Sequence, residues 1–292
     1  MPTEFDSFAY NWRRLNVIDA HWLLRRWINQ GPSQFDPLVA SAPKTLPADP
    51  AFVWRVTSQL YLLRLIGALQ HANPRCTLWF RGVGEAAHAE RACPARSRPP
   101  KSLNTRAFIR LGLEWIAKLS YESHVFKNRG PLARLAILQH YGARTSFLDV
   151  TRDYRVGMFF AFTKLGPCPT LTSPPAHSRS IDPHLMVFAT PRVTASVNDF
   201  AEAGLCVVDL LAEMPSYCLR PHGQHAGFIG LRETVRRDLD YKSLRGVRST
   251  LDAVCIARIK LDFDPLTKIN VEEMFPPASE NCKFCRGKAA HD

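Results

Sequence analysis

The chain has 292 residues, of which 46% are hydrophobic and 22% are charged. A chain of this length buries about 75% of its unfolded surface, so the composition predicts a globular protein and disfavours intrinsic disorder. It carries 38 lysines and arginines against 26 acidic residues, which gives a net charge of +12. This balance favours an anionic partner, either nucleic acid or a phosphate-bearing small molecule, although solvated surface charge is the simpler explanation.

Membrane association and export are both disfavoured by the sequence. The longest apolar stretch, residues 156–162, is far shorter than the roughly 20 residues that a bilayer-spanning helix needs. The amino terminus is acidic and lacks the apolar core of a secretory signal. Because the eight cysteines are scattered and no export signal is found, we expect reduced thiols and a cytoplasmic location.

Residues 1–72 are predicted to form an N-terminal helical region. Apolar residues recur with helical spacing over residues 17–29 and again over residues 51–70. Between them, prolines at positions 37, 43, 47 and 50 predict a loop, since proline continues neither a helix nor a central strand. We interpret these helices as a scaffold rather than a reaction site.

Residues 73–278 mix strand and helix patterns. The segments with strand character are residues 76–81, 185–189 and 253–261. The predicted helices cover residues 107–121, 132–140 and 152–163, with Thr151 as the N-cap of the last one. A proline-rich loop is expected at residues 166–184. This order indicates an α+β fold, with N-terminal helices packed on a mixed α/β domain.

The last segment, residues 279–292, is expected to be a flexible tail. Cys282 and Cys285 in it have the spacing of a zinc knuckle. A structural zinc site needs four ligands, and only His291 lies nearby in the sequence. We therefore expect no metal site in this tail.

Arg81 lies at the end of a predicted strand, directly before Gly82. A guanidinium offers a planar fork of donors that suits phosphate or carboxylate, and an adjacent glycine lets a ligand approach the backbone. The alternative is an arginine that pairs with a carboxylate of the core.

A second cluster of polar residues extends from residue 139 to residue 151. Its members that can carry chemistry are Gln139, His140, Tyr141, Thr145, Ser146, Asp149 and Thr151. His140 lies at the end of a predicted helix, where the helix dipole favours the cationic imidazole. Asp149 precedes the next predicted helix, so closing that helix is an alternative to a role in chemistry.

A third segment surrounds Gln224. It contains His222 and His225, which are spaced for a metal ion, but Pro221 and Gly223 argue against the helix that would align them. We therefore predict a turn that delivers Gln224 and the following strand to a site, without a metal.

Together these segments resemble the FRG domain family over roughly residues 75–230. The matching residues are Phe80-Arg81-Gly82, Gln139-His140-Tyr141-Gly142 with Thr145, Leu148-Asp149-Val150-Thr151, Phe159-Phe160-Ala161 and Arg220 with Gln224-His225-Ala226-Gly227-Phe228. The resemblance implies a bacterial or phage-associated protein with a role in toxicity or phage defence.

A weaker likeness to arginine-class ADP-ribosyltransferases implies a chemistry. These enzymes begin their site with an aromatic–Arg–Gly strand, whose arginine holds the phosphates or ribose of NAD. The likeness implies that NAD is bound by Arg81, Gly82, Gln139, Thr145 and Ser146, where one of the two hydroxyls supports the nicotinamide ribose. The implied catalytic set is Arg81, His140, Tyr141, Asp149 and Gln224, with Gln224 near the acceptor.

The carboxylate that this chemistry needs is left open by the sequence. Breaking the glycosidic bond generates oxocarbenium-like charge, which a fixed carboxylate stabilises better than a glutamine does. Glu233 is the nearest acid after Gln224, although no motif places it, and Asp149 is the other candidate.

Two alternatives to an NAD-using transferase or hydrolase stay open. The first is a non-enzymatic nucleic-acid-binding or sensor module. It is suggested by an acid-free basic stretch from Arg91 to Arg110 and by a second series at Arg232, Arg236, Arg237, Lys242, Arg245 and Arg248. The second is a structural hydrogen-bond network that ties helix ends to the sheet without catalysis. The substrate, the acceptor and the oligomeric state are not specified by the sequence.

Overall fold

The structure is a computed structural model. The residues that it describes are 35–38, 53–84, 114, 129–140, 145–165, 177–180, 182–201, 203–214, 216, 218–239, 255–265 and 269–276. The predicted helix at residues 17–29 and the predicted tail at residues 279–292 lie outside these ranges, and of the predicted helix at residues 107–121 the structure describes Glu114, which is helical.

Eleven strands and seven helices lie in the described residues. The strands are β1 (Phe35–Leu38), β2 (Val53–Val56), β3 (Cys76–Val83), β4 (Leu148–Thr151), β5 (Thr163–Leu165), β6 (His177–Arg179), β7 (His184–Pro191), β8 (Val197–Phe200), β9 (Leu205–Asp209), β10 (Ala226–Leu231) and β11 (Cys255–Leu261). The helices are α1 (Gln59–Ala72), α2 (Pro131–His140), α3 (Tyr154–Phe162), α4 (Leu210–Glu213), α5 (Leu219–Gly223), α6 (Arg232–Leu239) and α7 (Val271–Met274).

Nine of the described strands form one mixed sheet. Their order is β1-β2-β11-β7-β3-β4-β10-β9-β8, and β5 pairs separately with β6. The contact between β2 and β11 is parallel, and the other neighbouring strands of the sheet are antiparallel. Helices around a mixed sheet confirm the predicted α+β class. Among the described residues, no helix is both long enough and apolar enough to span a membrane.

The central part of the sheet is buried on both faces. Every residue of the central strand β7 is buried, as expected for a strand covered on both sides. In β9, Leu205 and Val207 join the main core with residues of α1 and α3, whereas Cys206 and Val208 join a second core with α2, α4 and α6. Because side chains alternate along a strand, these two sets of helices lie on opposite faces of the sheet.

Most strands and helices predicted within the described residues are confirmed. The predicted strands at residues 76–81, 185–189 and 253–261 correspond to β3, β7 and β11. The predicted helix at residues 132–140 corresponds to α2, which begins at Pro131, where the missing proline N–H costs nothing. Strand β6 lies inside the expected proline-rich loop, of which residues 166–176 are outside the described part.

The predicted helix at residues 51–70 is wrong in its first part. Residues 53–56 form β2, and helix α1 begins after Ser58, whose hydroxyl accepts a hydrogen bond from the Tyr61 N–H. Pro37 lies in β1, where a loop was expected. Among the described strands β1 is an edge strand, which is the position where a sheet tolerates proline.

The predicted cap of helix α3 is also wrong. The N-cap is Asp153, whose carboxylate accepts a hydrogen bond from the Arg155 N–H, and Thr151 and Asp149 belong to β4. Burial opposes the charged form of Asp153, but the hydrogen bonds and the charge of Arg155 hold the pKa of this carboxyl below its usual value. Asp149 is therefore not needed to close the helix.

Helix α3 crosses β3 so closely that Gly82 has no room for a side chain. A Cβ at Gly82 would lie 2.0 Å from the carbonyl oxygen of Gly157 and 2.3 Å from the amide nitrogen of Ala161. The space beside the Gly82 Cα is thus filled by the backbone of α3. The cofactor-binding role of Gly82 stays a prediction, and packing alone explains the glycine.

We expect Gly82→Ala to lower the free energy of unfolding by about 1–3 kcal/mol, because helix and strand must separate to admit the methyl group. Urea denaturation measures this change. The matched control is Gly67→Ala in α1, where nothing lies within 4 Å of the new Cβ. There the higher helix propensity of alanine should raise the free energy of unfolding by about 1 kcal/mol. An unchanged stability of the Gly82 variant would contradict the packing argument.

Candidate functional site

Arg81 and Asp149 form the centre of the candidate site, on the adjacent strands β3 and β4. The Arg81 Nη1 donates a hydrogen bond of 2.7 Å to the backbone carbonyl of Asp149 and lies 3.9 Å from the Asp149 Oδ2. The exposed fractions of the two side chains are 26% for Arg81 and 44% for Asp149. A guanidinium and a carboxylate are thus both accessible to a ligand at one place.

Gln139 holds the carboxylate of Asp149 from behind. Its Nε2 donates to the Asp149 Oδ2 over 3.0 Å, while its Oε1 accepts from both the N–H and the hydroxyl of Thr145, each over 2.9 Å. These partners fix both the orientation of the buried amide and the position of the carboxylate oxygen. In the structure Gln139 therefore positions the carboxylate of Asp149. Its contact with a cofactor stays a prediction.

Thr145 and Ser146 lie beneath this surface and are both buried. The Thr145 hydroxyl donates to Gln139 and accepts from the Phe147 N–H over 3.2 Å. The Ser146 N–H donates to the Asp238 Oδ2 over 2.5 Å. These contacts assign both residues to the support of the site and do not favour the predicted direct contact with a ribose.

Asp238 of helix α6 is a supporting residue that the sequence analysis did not identify. Burial raises the pKa of its carboxyl, and the hydrogen bonds from Ser146 oppose that rise. The sequence does contain one indication that Asp238 is buried. It lies three residues after Val235, which is fully buried, and so falls on the same side of α6. In a helix with so many charged residues, that signal is easily taken for part of the solvated surface.

His140 is buried in the second core, next to the site. Burial and the positive charge of Arg220 hold the pKa of its imidazole well below its usual value. Its ring packs edge-on against Phe228, with 6.2 Å between the ring centroids. The expectation that the helix dipole favours a cationic His140 is therefore wrong, because desolvation outweighs the dipole. Tyr141, the next predicted catalytic residue, lies outside the described residues.

Gln224 contacts helix α7. Its Nε2 donates to the backbone carbonyl of Met274 over 2.7 Å, and the guanidinium of Arg220 lies 4.9 Å from the ring centroid of Phe275. Helix α5 contains Pro221 in its first turn, where a proline N–H is not required, but it ends at Gly223 and so does not align His222 with His225, as predicted. The structure thus joins this segment to α7, whereas Arg81, Gln139, Thr145 and Asp149 form one network.

The described residues contain no group of three histidine, cysteine or acidic side chains that could hold a metal ion. The His222 Nε2 lies 3.1 Å from the carbonyl oxygen of Met214. His222 is therefore used in a structural hydrogen bond. The absence of a metal from the mechanism stays a prediction.

Residues 77–167 match the family model of the FRG domain. The chain carries an FRG domain. The matched segment contains the whole network of Arg81, Gln139, Thr145 and Asp149 and also helix α3, so the family resemblance coincides with the candidate site. No curated protein and no solved structure matches the chain.

The buried neutral His140 makes the stability of the FRG domain depend on pH. In the unfolded chain a histidine binds a proton below a pH of about 6.5, while the folded chain keeps His140 neutral. Stability should therefore fall as the pH is lowered below this value, by up to about 1.4 kcal/mol per pH unit. Chemical denaturation between pH 7.5 and pH 5.5 tests this.

His140→Gln is the comparison for that titration, because it keeps a polar side chain but removes the titrating group. The difference in unfolding free energy between wild type and variant should shrink on acidification. A difference that stays constant over the whole pH range would show that His140 titrates normally.

Proposed function

We propose that the FRG domain binds NAD at Arg81 and breaks its glycosidic bond, as an ADP-ribosyltransferase-like or NAD-hydrolysing effector with a toxin or defence role. The observation that carries the proposal is the position of Asp149. Its carboxylate is accessible, lies beside Arg81 and is oriented by Gln139, and Asp153 caps the helix in its place.

Arg81 serves as the anion-binding group in this proposal. Its Nη1 donates to the Asp149 carbonyl, which fixes the guanidinium plane. Within the described part of the chain its other N–H donors make no hydrogen bond, so they can bind a phosphate or ribose. The Arg81 side chain is partly exposed, so a phosphate can bind it without being buried in the core.

Asp149 provides the negative charge for the chemical step. The bond between the ribose C1′ and the nicotinamide nitrogen breaks, and its electron pair leaves with neutral nicotinamide. The carboxylate stabilises the oxocarbenium-like charge that remains on the ribose. Water or an acceptor nucleophile then adds to C1′ and loses a proton. Glu233, the other acid considered, is exposed on α6 and has no comparable contact with Gln139 or Arg81 among those described.

The remaining predicted residues take supporting roles in the proposal. Thr145 holds the amide of Gln139, the Ser146 N–H is bound by Asp238, and the neutral His140 packs against Phe228. Gln224 lies on the acceptor side in this proposal. Its hydrogen bond to the Met274 carbonyl supports a role in positioning helix α7 there. The proposal includes a bacterial cytoplasmic setting. Its bacterial part follows from the family resemblance, and its cytoplasmic part follows from the scattered cysteines.

The decisive experiment measures nicotinamide release from NAD by the purified chain, with and without a bacterial lysate as a source of acceptors. Asp149→Asn keeps an oxygen for the Gln139 N–H but removes the charge, so release should fall about 100-fold while stability changes little. Arg81→Lys should weaken NAD binding, because a lysine cannot reproduce the planar fork.

Asp262→Asn is the matched control, since Asp262 forms an exposed pair with Arg55 on another part of the sheet. It should leave nicotinamide release unchanged. No release by wild-type protein under either condition, or full activity of the Asp149→Asn variant, would refute the proposed chemistry.

The nucleic-acid-binding alternative is less well supported by the described residues. In the second basic series, Arg232 and Arg236 both pair with Asp199, at 2.6 Å and 3.3 Å. This carboxylate offsets part of their positive charge and so weakens their attraction for a phosphate backbone. The basic stretch from Arg91 to Arg110 lies outside the described residues.

We therefore expect the purified chain to bind a 30-nucleotide single-stranded RNA weakly, with little change between 50 and 200 mM salt. Filter binding or fluorescence anisotropy measures this. A loss of affinity of about 10³-fold over that salt range would instead indicate neutralisation of several phosphates and would favour the alternative.

A further inference from the structure

A cleft of about 550 Å³ lies between helix α3 and the segment around helix α7. This volume is within the range of small-molecule sites in proteins. None of the residues that line the cleft belongs to the network of Arg81, Gln139, Thr145 and Asp149. The cleft is therefore distinct from the candidate site described above.

The walls of the cleft are mainly apolar. Met158, Phe159 and Phe162 line it from α3, and Ile269 and Val271 line it from the opposite segment. Phe159 also packs with Val156, Met274 and Phe275 in a small core of its own, which closes the cleft at one side. Such walls suit an aromatic ring or a short acyl chain.

Motif residues outside the cleft keep its second wall in place. Gln224 bonds the Met274 carbonyl, Arg220 stacks on Phe275, and the Phe160 ring packs edge-on against Phe275 with 6.3 Å between centroids. Gly223 also approaches the Glu273 carbonyl so closely that a Cβ would lie 2.5 Å from it. These contacts fix α7 relative to α3 and so define the width of the cleft.

Two arginines stand at the rim of the cleft, Arg155 and Arg179. Arg155 is bonded to the helix cap Asp153, so its charge is used within the fold. Arg179 pairs with Asp264, and the exposed fractions of these side chains are 70% and 76%. A pair so exposed to water contributes little to stability, so an anionic ligand can take the place of Asp264 at small cost.

We propose that this cleft binds a small amphipathic anion, with its aromatic or acyl part between α3 and α7 and its carboxylate, sulfonate or phosphate on Arg179. The proposal does not depend on NAD chemistry at Asp149, because the two sites share no lining residue. Each can be tested, and can fail, without the other.

The test uses two fluorescent probes and the full chain. One is 8-anilinonaphthalene-1-sulfonate, which has an aromatic body and an anionic group, and the other is the uncharged N-phenyl-1-naphthylamine. Arg179→Ala should weaken binding of the sulfonate about fivefold and leave the uncharged probe unchanged, because it removes one exposed charge contact. Asp264→Asn should have the opposite effect and strengthen binding of the sulfonate probe, because it removes the carboxylate that competes for Arg179.

Arg55→Ala and Asp262→Asn are the matched controls, because Arg55 and Asp262 form a similarly exposed pair away from the cleft. Neither should change the binding of either probe. Val271→Trp should abolish binding of both probes by filling the cleft, with thermal melting as the check that the chain is folded. Equal effects of Arg179→Ala and Arg55→Ala, or a failure of Asp264→Asn to strengthen sulfonate binding, would overturn the proposal even if the Val271 variant does not fold.

Discussion

The buried amide of Gln139 is the interaction on which the FRG site depends. This side chain, in the last turn of α2, bonds two points of the segment that leads into β4: Thr145 before the strand and Asp149 within it. Two donors, the N–H and the hydroxyl of Thr145, face the amide oxygen, and one acceptor, the Asp149 Oδ2, faces the amide nitrogen. A carboxylate or a hydrocarbon at this position would leave a buried polar group without a partner, which is more costly than the hydrogen bonds themselves are stabilising.

The polar network is supported by groups that are themselves expensive to bury. Asp238 keeps a carboxylate under the segment at Ser146, and His140 occupies an apolar environment in its neutral form. The pKa values of both groups are displaced by burial, in the direction that opposes charge. Polar groups in such places narrow the number of ways in which α2, α6 and β4 can pack, so the site gains a defined geometry at the expense of stability.

Local patterns predicted the elements whose burial is simple, and tertiary contacts decided the rest. The apolar strand at residues 185–189 and the proline-initiated helix at residues 132–140 could both be predicted, since their signals are local. Residues 53–56 also fit a helical period, and it is their pairing with β11, some 200 residues later in the chain, that makes them a strand. Likewise, Thr151 and Asp153 are both good caps. The choice follows from the pairing of Thr151 with Ala226, which keeps it in β4.

The arrangement of strands sets a lower limit on the length of chain that can carry the site. Strand β4 and all of β3 except Cys76 lie inside the family match, but their outer neighbours β7 and β10 both come from residues beyond it. Residues 77–167 alone would therefore expose unpaired backbone N–H and C=O groups along both edges of the β3–β4 pair. Such edges pair with other chains and promote aggregation. The unit that folds is larger than the unit that is recognised, and the later strands are part of the scaffold that makes Arg81 and Asp149 neighbours.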